Sequence, residues 1–120
     1  MTKDAYQIAE TRAKTLLKAI YAATRIDDIA RDYNMVSAIT KPAIGLVGCL
    51  ANSGASRDTS YQRRGVGWGR SYLAEIKAVL TAAYEVGYLT HHFKDLTQKA
   101  ADADQALVEI QGVLDARMCG

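Results

Sequence analysis

A single proline, Pro42, stands in 120 residues, while alanine recurs from end to end. Proline breaks helices and alanine favours them, so this chain can build long helices with few obstacles. The apolar pattern agrees. Tyr6, Ala9, Ala13, Leu16, Leu17, Ile20 and Ala23 recur at spacings of three and four, with Lys3, Glu10, Lys14 and Lys18 on the other faces. A first amphipathic helix is therefore expected. Thr24 opens T-R-I-D, which resembles a capping box with Asp27 as the third helical residue. Ile26, Ile29, Ala30, Tyr33, Val36 and Ile39 then carry helical spacing to about residue 39.

Thr40-Lys41-Pro42 reads as the start of the next helix, with Thr40 as cap and Pro42 in the first turn. Residues 41–52 are apolar nearly all round, and Gly45 and Gly48 within them suggest close helix neighbours. Asn52-Ser53-Gly54 is the expected stop. After an irregular basic, Gly-rich loop at about 53–69, Tyr72, Ile76, Val79, Ala83 and Val86 resume helical steps. The phase slips at Gly87, where a break or sharp kink is expected. Leu89, Phe93, Leu96, Ala100, Ala103, Leu107, Ile110 and Leu114 then alternate steps of four and three, a heptad pattern. The fold expected is all-α: one domain over residues 1–120, a small bundle of four or five helices with a long C-terminal heptad-patterned helix. That stripe suits either the first helix of the same chain or its own copy in a homo-oligomer.

Charge is unevenly spread. Residues 1–53 sum to +2, residues 54–72 to +3 and residues 73–120 to −3. Such a chain is unsuited to wrapping long duplex DNA, but a local anion site fits the middle segment. That segment, RDTSYQRRGVGWGRSY, concentrates Arg57, Arg63, Arg64 and Arg70 with Gly65, Gly67, Gly69, Tyr61, Trp68 and Tyr72. Arginine forks bind phosphate or carboxylate, exposed glycine N–H groups approach an anion, and aromatic faces stack on bases. The spacing matches neither G-x-G-x-x-G nor a P-loop.

Other chemistry is weakly represented. Cys49 and Cys119 form no C-x-x-C pair, so a reducing, cytoplasmic compartment is expected. The start MTKDAYQIAE has no signal-peptide core, and the apolar run 42–51 is half of a membrane span. His91, His92 and Asp95 lack the further ligands of a metal centre, and no G-x-S-x-G or placed nucleophile is present. No enzyme, metal, cofactor or membrane partner is expected. The leading expectation is a non-catalytic binder that holds a nucleotide-like, phosphate-bearing ligand or short nucleic acid through the 57–72 stretch. The rival is a protein–protein module (inhibitor, adaptor or assembly subunit) that uses its heptad face and tyrosines. Small helical binders of this kind are expected among phage or mobile-element accessory proteins.

Overall fold

In the computed structural model, which describes residues 1–119, four α-helices run up and down in chain order: α1 (Thr2–Thr24), α2 (Tyr33–Ala55), α3 (Thr59–Glu85) and α4 (Phe93–Cys119). A short 3-10 turn, Asp28–Arg31, lies between α1 and α2. Each helix packs on its neighbour in sequence, and α4 closes the square against α1. The result is a rod 51 Å long and about 20 Å across. The described residues contain no strand.

The sequence periodicities become the core. Tyr6, Ala9, Ala13, Leu16 and Ile20 of α1 are buried, as are Leu96, Ala100, Ala103, Leu107, Ile110 and Leu114 of α4. Small residues at Ala9, Ala13, Ala100 and Ala103 allow α1 and α4 to lie close within the one chain.

Two expected boundaries move. Thr24 does not cap a second helix; its hydroxyl donates back to the Ile20 carbonyl at 2.8 Å, which closes the end of α1. The cap is Asp32, whose carboxylate accepts from Met35 N at 3.0 Å. Residues 24–39 are thus a helix end, a turn with Asp27 in the left-handed region (φ 61°), a 3-10 turn and the start of α2. Nor does the Thr40–Pro42 punctuation start a helix. Thr40 donates to the Val36 carbonyl at 2.9 Å, and α2 runs straight through a buried Pro42. Proline costs one backbone hydrogen bond there; apolar burial of Ile39, Ala43 and Leu46 on the same helix offsets it.

The largest correction concerns residues 53–69, which are not a loop. Only Ser56–Asp58 separate α2 from α3, and Thr59 onward is continuous helix through every glycine of the stretch. Asp58 caps it, accepting from Ser60 N at 2.9 Å and Tyr61 N at 3.3 Å. By propensity each interior glycine costs about 1 kcal/mol against alanine. Gly65 and Gly69, however, are buried where α3 meets its neighbours. A Cβ at Gly65 would lie 2.6 Å from Ser53 Cβ of α2, and one at Gly69 2.7 Å from Leu107 Cδ2 of α4. Close approach of three helices is what these glycines provide.

At Gly87 the break is real: its φ of +100° ends α3, and Leu89 follows at φ 60° before α4 begins. By length and composition, α2 is apolar enough to cross a membrane. Here it is a bundle helix, with Ile39, Ala43, Leu46 and Leu50 buried against its neighbours.

Candidate functional site

Winding residues 59–72 into a helix sorts the ten expected site residues onto separate faces. Arg63 and Arg70, seven apart, turn towards α4. Arg63 pairs with Asp115 at 3.1 Å, and Arg70 reaches Asp104 with Nε at 3.1 Å and Nη2 at 3.4 Å. Lys77 adds to Asp104 at 3.9 Å. The acidic final third thus neutralises two of the four arginines in the basic stretch. These are half-exposed pairs, each worth about 0–1 kcal/mol.

The glycines do not form an anion cradle. A cradle needs free backbone N–H groups, and inside a helix those groups are already bonded to carbonyls four residues back. Gly65 and Gly69 face the core, whereas Gly67 faces solvent with nothing within 4 Å of its Cβ position. Arg57, just before the cap, lies at the end of the rod. There it lines a cavity of about 810 Å³ with Lys3, Arg117, Thr2 and Gln62.

Four of the ten residues do come together. Tyr61, Arg64, Trp68 and Tyr72 fall on one stripe of α3, since steps of three, four and four return to the same face. The Arg64 guanidinium stands 5.8 Å from the Tyr61 ring centroid, and Tyr61 meets Trp68 edge-to-face at 5.9 Å. Tyr72 covers Gly45 of α2, where a Cβ would stand 2.7 Å from the ring. Trp68 keeps 48% of its surface exposed. A groove of about 350 Å³ separates this stripe from α2, lined by Gly45, Gly48, Cys49, Asn52, Trp68 and Tyr72.

The facing part of α2 was not singled out in the sequence. Ile44, Gly48, Ala51, Asn52 and Ala55 are all exposed on one side of that helix. Residues 42–56 contain no charged side chain, and this was the available signal. An apolar helix whose outward side also lacks charge presents a weakly solvated face.

Beneath the groove the helices are joined by polar contacts. Ser53 donates to the Gln62 carbonyl at 3.4 Å, which leaves Tyr6 of α1 as the donor to Ser53. Burial raises the Tyr6 phenol above its usual range, and the Ser53 bond opposes that only in part. Cys49 donates its thiol to the Gly65 carbonyl at 3.2 Å, and burial raises that thiol too. Gln62 donates to the Ser56 carbonyl at 2.9 Å, while its own side-chain oxygen is buried without a partner.

The histidines lie at the far end of the rod. His91 and His92, in the α3–α4 connection, line a cavity of about 320 Å³ with Asp27 and Asp28. Among the described residues no three His, Cys, Asp or Glu side chains are grouped to hold a metal ion. Nearby, Tyr88 donates to the Asp32 carboxylate at 2.9 Å. That bond, together with some desolvation, raises the Tyr88 phenol.

No family model, curated protein or solved structure matches this chain.

Proposed function

We propose that this protein is a non-catalytic helical interaction module, a cytoplasmic adaptor or assembly subunit whose docking surface is the α2–α3 face. One observation carries the reading: a half-exposed Trp68, braced by Tyr61, whose own ring Arg64 overlies, borders a strip of α2 without charge from residue 42 to 56. Tryptophan, tyrosine and arginine are the side chains that dominate protein interfaces. Two aromatics already held against each other lose little further freedom on binding. The groove at Gly45 and Gly48 lets a partner backbone come close.

The test is a photo-crosslinking amino acid in place of Trp68, compared with one in place of exposed Gly112 on α4. Protein adducts at position 68 that persist in high salt and are suppressed by Asn52→Arg support the docking face. Adducts equal at both positions refute it.

A second reading places an anionic ligand, nucleotide-like or a short nucleic acid, at the end of the rod. Lys3, Arg57 and Arg117 line the cavity there, and no carboxylate is among its lining residues. Arg57→Ala should then weaken binding of adenosine triphosphate, with a steep salt dependence. Unchanged affinity would dismiss it.

A further inference from the structure

We infer that the occupant of the α2–α3 face is a second copy of this chain, set antiparallel across a two-fold axis, α2 on α2 and α3 on α3. The inference rests on the α2–α3 face being a docking surface and names its partner. Three features of the face match their own reversed image.

The first is charge. On the α3 stripe that carries Trp68, the exposed ionised residues are Arg64 at one end and Glu75 at the other. They are eleven residues apart, three helical turns, so they share a face. Neither is ion-paired within the chain among the described residues. A two-fold axis between positions 69 and 70 sets Arg64 against the partner's Glu75, and the reverse, in two equivalent places. A heterologous partner would have to supply that reversed pattern; a second copy has it already.

The second is shape. About the same axis, Trp68 falls opposite the partner's Ser71, and Tyr72 opposite the partner's Gly67, a large residue against a small one each time. Gly45 and Tyr72 are in contact, as are Ser53 and Gly65, which fixes the level of α2 beside α3. At that level the axis passes near Gly48 of α2. It therefore sets exposed Gly48 over the partner's Gly48, where the two α2 backbones can come close, and exposed Ile44 over the partner's exposed Asn52. Reciprocal knobs and hollows on one surface are the requirement of an isologous interface.

The third is the neutral strip. An antiparallel α2 pair apposes residues 42–56 with themselves, and with no charge in that span no like charges meet. The flanking Lys41 falls by the partner's uncharged Ala55. The helical part of the strip, residues 42 to 55, is roughly 20 Å long at 1.5 Å per residue, and the face is two helices wide. Its area is at the small end of stable interfaces, where about 800 Å² per partner is standard. A dimer that dissociates on dilution is the expected form.

Sedimentation equilibrium of the purified chain over a wide concentration range tests this. The wild type is expected to dimerise reversibly. Arg64→Glu and Glu75→Arg, both at exposed positions, should each weaken the dimer about tenfold or more. The double variant should recover it, because both reciprocal pairs are restored with sign reversed. Circular dichroism checks that all variants remain helical. A wild type that stays monomeric throughout overturns the inference, as does a dimer indifferent to either single reversal. If the chain is monomeric yet position 68 still crosslinks a different protein, the docking face stands and only its assignment to a second copy falls. If neither occurs, both fall.

Discussion

Ser53 of α2 fills the space that a side chain on Gly65 of α3 would need. The contact sits between the Tyr6 hydroxyl on one side and the Gln62 carbonyl on the other, so it joins three helices through one serine. Glycine at 65 is a packing requirement. Glycine at 67, two residues on, meets nothing.

Alanine substitutions should separate these positions. Gly65→Ala is expected to destabilise the bundle by about 1–3 kcal/mol, since Ser53 has backbone close behind it and cannot withdraw. Gly69→Ala should cost less, because the obstructing atom is the flexible tip of Leu107. Gly67→Ala should stabilise by up to about 1 kcal/mol through helix propensity alone. Urea unfolding ranks the three; a Gly65→Ala protein as stable as wild type would contradict the close α2–α3 contact.

The same glycines explain why the sequence was misleading here. Four arginines and three alternating glycines read locally as a turn-rich anion loop, and local propensity supports that. The helix is decided by partners distant in sequence, Ser53 and Leu107, which no window around residue 65 contains. Periodicity was legible wherever the helix buries a full-sized stripe, as along Leu96 to Leu114 and Tyr6 to Ala23. At Pro42 a local helix-start signal lost to burial on both sides of it. Of the candidate site, the residues Tyr61, Arg64, Trp68 and Tyr72 stand out in the sequence, but Gly48 and Ile44 are hidden in a segment that reads as core.

The ion pairs across α3 and α4 should be weak. A double-mutant cycle on Arg70 and Asp104, using alanine at each, is expected to give a coupling below about 1 kcal/mol that fades with added salt. A coupling several times larger, insensitive to salt, would mean that the pair is shielded from water.

The two thiols should react at very different rates. Cys119 is exposed, whereas Cys49 is partly buried, bonded to the Gly65 carbonyl and raised by desolvation. Maleimide labelling of native protein at neutral pH, followed by peptide mass mapping, should modify Cys119 about tenfold faster or more. Equal rates would show that the groove over Cys49 opens freely.

Alkaline stability should report Tyr6 and Tyr88. Both phenols are raised above 10.0 in the fold, Tyr6 chiefly by burial and Tyr88 chiefly by donating to Asp32. The folded state therefore holds these protons more tightly than the unfolded chain does. The stability this contributes is complete below pH 10 and is lost as pH rises through the folded values. Thermal unfolding should show a falling limb above pH 10. It should be shallower in Tyr88→Phe and in Tyr6→Phe, and an unchanged limb in both would remove the linkage.

The square order of the helices, with α4 lying against α1, bears on how the chain emerges from the ribosome. The apolar stripe of α1 is made before the other three helices, but one of its two walls, α4, is made after them. Until Phe93 onward has been synthesised, Ala9, Ala13 and Leu16 lack that cover, and the nascent three-helix chain holds an open seam. Closure of the bundle is thus tied to synthesis of α4, and ribosomes stalled within α4 would present a chain that chaperones recognise.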